Sequence, residues 1–176
     1  MLSLMSAKKQ VDASAQAHLR EAWSGLVIEV FRINGELLAA GDTLVGDLGL
    51  TSARWQVLGA IALSPVPLPV AHIARNMGLT RQAVQRLVDE MRADGLVRLE
   101  PNPHHRRAML VLATESGEAA YRAAIARQER WADALTSGLS PEAFEAAGSL
   151  LREMRERIEG SEPAAAIGTQ SQTQGA

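Results

Sequence analysis

Arginine and glutamine side chains cluster at the start of one predicted helix. Apolar residues recur at three- and four-residue spacing over 80–93, which predicts an amphipathic helix with one buried face and one polar face. The polar face begins with Arg81, Gln82, Gln85 and Arg86. Glutamine can form two hydrogen bonds with adenine, arginine can do so with guanine, and either can contact a phosphate. Thr80 is the predicted N-cap, where the helix amides attract a phosphate.

A second basic group lies in a predicted turn between two short apolar segments, 96–100 and 108–112. Proline and asparagine at 101–103 mark the turn, so the two segments predict a β-hairpin. The tip of the hairpin carries His104, His105, Arg106 and Arg107. These side chains can enter a minor groove and read its width and potential, or they can contact phosphates only.

The adjacent histidines at 104 and 105 also raise the question of a metal site. Two neighbours on a turn supply half a site at best, and the chain has no cysteine to complete it. We therefore expect no metal and no cofactor. A disulfide framework and a cysteine nucleophile are excluded as well. The chain has neither a glycine-rich phosphate loop nor a recognisable Ser-His-Asp setting, so we expect that it is not an enzyme.

The elements around these basic residues predict a winged helix-turn-helix. A short helix over 69–77 ends at Gly78 and precedes the helix over 80–93, and alternating prolines over 65–69 predict a stiff extended linker before them. Two short helices joined by a glycine turn form a helix-turn-helix, and a hairpin directly after them is a wing. A polar helix face is often merely solvated, but this context favours base recognition.

Amphipathic helices are predicted on both sides of this module. The first covers 14–38 and is followed by a loop at 39–50, where three glycines interrupt the apolar pattern. A further helix follows the predicted N-cap Thr51 and continues to 61. The last two helices cover 114–135 and 141–158, and Ser140-Pro141-Glu142 marks the start of the last one. The apolar stripes of the outer helices exceed what the small central core can cover, so we expect a homodimer that forms through the N- and C-terminal helices.

The predicted fold is therefore mainly α with a small β-hairpin wing. We divide the chain into a flexible N-terminus at 1–13, a dimerisation helix and loop at 14–50, a winged helix-turn-helix DNA-binding domain at 51–113, C-terminal dimerisation helices at 114–159 and a disordered tail at 160–176. The charge distribution agrees with this division. The net charge is −2, yet residues 65–113 carry seven arginines and four acids, whereas 114–159 carry six arginines and nine acids. No apolar run is long enough to span a bilayer, so we expect a cytoplasmic protein without a membrane partner.

Several runs of the sequence closely resemble the MarR family of bacterial transcriptional regulators. They are 50–58, 78–91, 95–97, 102–103, 106–107 and 110–117, and the resemblance covers roughly residues 15–158. It implies an obligate homodimer whose first and last helices interlock and which binds a pseudopalindromic operator on double-stranded DNA. It also implies that a small phenolic or otherwise aromatic effector can release the DNA. We therefore expect a sequence-specific regulator that acts as a repressor.

One position of the predicted wing departs from the family pattern. The family's wing carries an Asp-x-Arg signature, in which Arg107 matches the arginine but His105 stands where the aspartate is expected. The carboxylate that would orient the arginine is therefore missing. Because histidine gains a proton at mildly acidic pH, we predict that His105 strengthens DNA binding there.

Trp23, Arg54 and Trp55 are the candidate residues for an effector site, since they lie on the helices that would line a cleft between the lobes. Arg54 can pair with an anionic ligand, and the tryptophans can stack on an aromatic one. The same residues can equally serve core or dimer packing. The alternative function is a winged-helix protein-interaction module without DNA binding, in which the polar face of the 80–93 helix has no role.

Overall fold

The computed structural model describes residues 2–105 and 107–161, with side chains from residue 13 onward. In these ranges the elements are, in chain order, α1 (Leu2–Val45), a short 3-10 turn (Gly46–Leu48), α2 (Ser52–Ala62), β1 (Leu68–Pro69), α3 (Val70–Met77), α4 (Arg81–Ala93), β2 (Val97–Glu100), β3 (Leu110–Ala113), α5 (Glu115–Thr136) and α6 (Pro141–Gly160). None of the helices in the described ranges is long and apolar enough to cross a membrane. The predicted mainly helical fold with a small β wing is confirmed.

The chain divides into two compact units, Met1–Arg130 and Trp131–Ala176. The core of the first unit collects fully buried side chains from α2, α3, α4 and the sheet, among them Val57, Leu58, Ile73, Val84, Val88, Met91, Val97 and Val111. The three core residues of α4 recur at four- and three-residue steps, so this helix buries a single face. Its opposite face is left for other contacts.

Local groups set the turn between α3 and α4. Gly78 ends α3 with a φ of 64°, a left-handed conformation that glycine adopts without steric cost. Thr80 then caps α4, because its Oγ1 accepts a hydrogen bond from the Ala83 amide at 3.2 Å. Both features agree with the prediction, so the helix-turn-helix is confirmed.

The sheet contains one strand more than the predicted hairpin. β2 and β3 pair antiparallel, with Val97 opposite Ala113, which confirms the hairpin. β1 pairs with the other edge of β3, with Leu68 opposite Val111, so the strand order is β1-β3-β2. The proline-rich linker predicted at this point is therefore partly a strand. Proline is tolerated there because an edge strand does not need every backbone N–H for pairing.

α1 is longer than the helix predicted over 14–38. It begins at Leu2 and continues through the predicted loop as far as Val45. Gly41 does not end the helix but lies buried where α1 meets α2, and a Cβ there would overlap the Ser52 hydroxyl. That hydroxyl donates a hydrogen bond to a carbonyl of α1 at 2.8 Å. The loop prediction is largely wrong, because this glycine allows a close helix contact rather than a turn.

Thr114 connects the start of α5 to the end of the α4 segment. Its Oγ1 donates to the Gly95 carbonyl at 2.6 Å and accepts from the Gly117 amide at 3.1 Å. Gly117 is buried against the Leu96 carbonyl, which a Cβ would overlap. The predicted helix start at Thr114 is confirmed, and the wing is tied to α5 through it.

The second unit contains the end of α5 and all of α6. Ser140 caps α6 by accepting from the Ala143 amide at 3.3 Å, as the sequence predicts. Large apolar side chains of α6 are between 42% and 59% exposed, namely Phe144, Leu150, Leu151 and Ile158. The helix extends to Gly160, where the predicted tail begins, and residues 162–176 lie outside the described part of the chain.

Candidate nucleic-acid interface

The polar face of α4 lies along its first two turns. The four side chains predicted there comprise three exposed residues, Arg81, Gln82 and Arg86, and one half-buried residue, Gln85. The Gln85 amide donates to the Asp89 carboxylate at 3.2 Å, so this glutamine is held along the helix surface. Thr80 is exposed at the same end of the helix. The structure therefore places all five predicted residues of this segment together.

Hydrogen bonds to Asn102 shape the tip of the wing. Its Oδ1 accepts from the His104 amide at 2.9 Å, and its carbonyl accepts from the His105 amide at 3.3 Å. This side-chain-stabilised turn presents His104, His105 and Arg107 to solvent. Arg106, the fourth predicted residue of the tip, lies outside the described residues.

A groove of about 1090 Å³ separates α4 from the wing. Six basic side chains line it, namely His72, Arg75, Arg81, His104, His105 and Arg107. The described residues that line the groove include no carboxylate. The charged side chains of the groove are therefore all basic, although they lie among apolar residues and the chain as a whole is slightly acidic.

His72 and Arg75 are groove residues that the sequence prediction missed. Both are exposed on α3 and line the groove beside the wing. β1 brings them there, because it precedes α3 directly and pairs with β3. The sequence feature that could have indicated them is their three-residue spacing, which places both on the polar face of α3, away from the buried Ile73 and Ala74.

Arg54, predicted as a ligand contact, is paired with carboxylates of α4 and its cap. Its Nη1 lies 2.8 Å from Asp94 Oδ2, and its Nη2 lies 3.5 Å from Glu90 Oε2. The side chain is only 20% exposed. The C-terminal end of a helix dipole is negative and therefore repels two carboxylates placed there. The positive charge of Arg54 offsets this repulsion and stabilises the end of α4.

The two candidate tryptophans do not share a site within one chain. Trp55 is half-buried, and its ring lies 3.9 Å from the position that a Cβ would take on Gly41. Trp23 is 45% exposed and precedes Gly41 by eighteen residues on the continuous helix α1. This spacing corresponds to about 27 Å along the helix axis.

An ion pair joins α5 to the turn that follows α1. Arg127 Nη2 donates to Asp47 Oδ2 at 2.8 Å, and Nη1 donates to the Leu44 carbonyl at 2.9 Å. The hydrogen bond from Arg127 lowers the pKa of Asp47, and the same bond raises the pKa of Arg127. This contact connects the end of α1 to a helix that lies 80 residues later in the chain.

Comparisons with known proteins identify the family. The MarR family profile matches residues 48–108, from the end of the 3-10 turn after α1 to the residue that follows the wing tip. An uncharacterized protein of Mycobacterium tuberculosis is 33% identical over 138 residues, which make up 78% of this chain and 95% of that protein. The chain belongs to the MarR family. This is a family of transcriptional regulators.

Another sequence relative and two solved structures are similar to this chain. The transcriptional activatory protein BadR of Rhodopseudomonas palustris is 34% identical over 117 residues, 64% of this chain and 66% of BadR. MosR of Mycobacterium tuberculosis, solved in complex with DNA, is 23% identical with a TM-score of 0.62, over 74% of this chain and 96% of MosR. CouR of Rhodococcus jostii, solved with p-coumaroyl-CoA, is 24% identical with a TM-score of 0.63, over 79% of this chain and 94% of CouR.

Proposed function

We propose that this MarR-family regulator binds double-stranded DNA sequence-specifically and represses transcription. The observation that carries the proposal is the basic surface formed by the polar face of α4 and the adjoining groove. Phosphate attraction depends on such local positive potential more than on the net charge of the chain. The structural relative MosR, which is solved in complex with DNA, supports the proposal.

In this proposal α4 reads bases from the major groove, since an α-helix fits there. The side chains that meet base edges are Arg81, Gln82, Gln85 and Arg86, and Thr80 with the α4 N-terminus meets a phosphate. The wing tip lies in the adjacent minor groove, where it contributes His104, His105, Arg106 and Arg107. The bases are therefore read by α4, and the wing fixes the orientation.

We propose that the regulator acts as a homodimer. In the first unit, α1 exposes Leu19, Trp23, Ile28, Phe31, Ile33 and Leu37, and α6 exposes its own apolar stripe in the second unit. Apolar surfaces of this size favour burial against another chain. A two-fold dimer places two copies of α4 about 34 Å apart, one duplex turn, which suits a pseudopalindromic operator. Sedimentation equilibrium should give the mass of two chains, and the mass of one chain would contradict the proposal.

The DNA-binding role is tested by substitutions on α4. With a labelled duplex selected from a random pool, Arg81→Ala and Arg86→Ala are each expected to cost about 1–3 kcal/mol of binding free energy, a loss of roughly 5- to 150-fold. Arg122→Ala on α5 is the matched control, because it removes the same positive charge from an exposed position outside the proposed interface. Unchanged affinity of both α4 variants would instead favour the protein-interaction module.

We also propose that a small aromatic effector releases the DNA. CouR, which shares the fold, is solved with p-coumaroyl-CoA. Because Arg54 is already paired with Asp94, and Trp23 and Trp55 do not share a site within one chain, we expect one of the two tryptophans to make the main contact by stacking on the ligand. An aromatic acid that releases the DNA should quench tryptophan fluorescence less in Trp23→Phe or Trp55→Phe. A panel of such acids without effect on DNA binding would contradict this proposal.

The direction of regulation needs its own test, because the relative BadR is named as an activator. A promoter that contains the bound DNA site, fused to a reporter gene, should become more active when the gene for the regulator is deleted. Lower reporter activity after deletion would show activation and would leave the DNA-binding proposal intact.

A further inference from the structure

Three of the four histidines of the chain lie in the groove between α4 and the wing. His72 comes from α3, and His104 and His105 come from the wing tip. All three are exposed, as is His18 on α1, which does not line the groove. Histidine is the side chain that changes its charge between about pH 5 and 8.

The position of the groove indicates what it faces. When α4 lies in a major groove and the wing lies in the adjacent minor groove, the DNA strand between those two grooves crosses the space between α4 and the wing. That space is the groove described above, so the part of its lining that comes from α3 and the wing tip faces the sugar-phosphate strand. Of the base-reading set, Arg81 and Gln85 line the groove at its α4 side, whereas Gln82 and Arg86 do not.

We propose that the groove holds one sugar-phosphate strand and that His72, His104 and His105 take up protons as the strand binds. This inference rests on the proposed DNA-binding function. A neighbouring phosphate favours the charged imidazole, since opposite charges stabilise each other at short distance. DNA binding therefore becomes tighter as the pH falls.

The charges around the groove support this coupling. Arg75 of α3, Arg81 of α4 and Arg107 of the wing line the same groove as the three histidines. The carboxylates of the adjoining elements are engaged outside the groove. On α4, Asp89 accepts from Gln85, and Glu90 and the cap residue Asp94 pair with Arg54; on β2, Glu100 pairs with Arg98. A bound phosphate strand offsets the repulsion among the cations.

The test measures DNA affinity at two pH values and several salt concentrations, by fluorescence anisotropy with the labelled duplex selected from a random pool. Wild type should bind more tightly at pH 6 than at pH 8, by roughly sixfold and at most tenfold for each imidazole whose proton affinity rises tenfold in the complex. The slope of log K against log salt should also steepen, by about 0.9 for each additional phosphate neutralised.

The matched variants are the triple substitution His72→Gln, His104→Gln and His105→Gln, and the single substitution His18→Gln. The triple variant should have the same DNA affinity and the same slope of log K against log salt at both pH values. His18→Gln should depend on pH as wild type does. Circular dichroism melting verifies that both variants are folded. DNA binding that does not depend on pH in wild type, or that keeps its pH dependence in the triple variant, would overturn the inference and leave the DNA-binding proposal standing. Absence of duplex binding at either pH would overturn both.

Discussion

Arg54, Arg86 and Arg127 carry the same guanidinium group in different surroundings. Arg86 is 80% exposed, and the carboxylate of Glu90 lies 3.9 Å from its Nε, a weak pairing that leaves it accessible to a ligand. Arg54 is mostly buried between carboxylates, and Arg127 is hydrogen-bonded to Asp47. At the scale of the residue, exposure and pairing therefore decide which arginines are available to DNA.

The pair of Asp47 and Arg127 predicts a pH-dependent contribution to stability. Because the folded-state pKa of Asp47 is lowered, the contribution is present above the unfolded value of about 3.9 and is lost as the pH falls through the lower folded value. Asp47→Asn should therefore lower the melting temperature at pH 7, and the difference from wild type should shrink below about pH 4.

Asp133→Asn is the control for this measurement, because Asp133 is an exposed carboxylate on the same helix as Arg127. It should melt like wild type. A difference between Asp47→Asn and wild type that persists unchanged in acid would contradict the assigned contact.

The sequence correctly predicts the helices whose ends are set by neighbouring residues. The caps at Thr51, Thr80 and Ser140 and the left-handed Gly78 act on neighbouring backbone groups, so the helix boundaries beside them follow from a few residues. β1 and the end of α1 depend on contacts between distant segments, which periodicity does not report. The polar face of α4 was predictable because its signals are local. His72 was missed because its position beside the wing depends on the pairing of β1 with the distant strand β3.

The contact between α1 and α2 predicts different effects for two glycines of the same helix. Gly41→Ala forces the Ser52 hydroxyl away from its hydrogen bond, and overpacking of this kind costs about 1–3 kcal/mol of unfolding free energy. Gly35→Ala meets no atom within 4 Å and should stabilise the helix by about 0.5–1 kcal/mol. Urea unfolding measures both. Equal effects of the two substitutions would contradict the close contact.

The ion pairs of Arg54 predict a role in holding α4. Arg54→Ala should destabilise the fold by about 1 kcal/mol, because it leaves Asp94 unpaired and Glu90 with only its weak contact to Arg86 near a helix C-terminus. Arg32→Ala removes an exposed pair on α1 and should cost less. Calorimetric melting compares the two variants. A smaller loss for Arg54→Ala than for Arg32→Ala would contradict this role.

For the whole molecule, the central claim is that two copies of one basic surface read the two halves of a DNA site. Each copy combines α4 with the groove beside the wing, while α1 and α6 are proposed to hold the copies together. Net charge is uninformative about this claim, because the basic surface and the acidic helices nearly cancel.

Selection of bound duplexes from a random-sequence pool tests this claim most directly. We predict enrichment of an inverted repeat whose half-sites are centred about 10 base pairs, one helical turn, apart. The variant Arg81→Ala/Arg86→Ala should lose that enrichment, whereas Arg122→Ala should retain it. A pool that is not enriched by the wild-type protein, or one enriched only in a single asymmetric half-site, would contradict the claim.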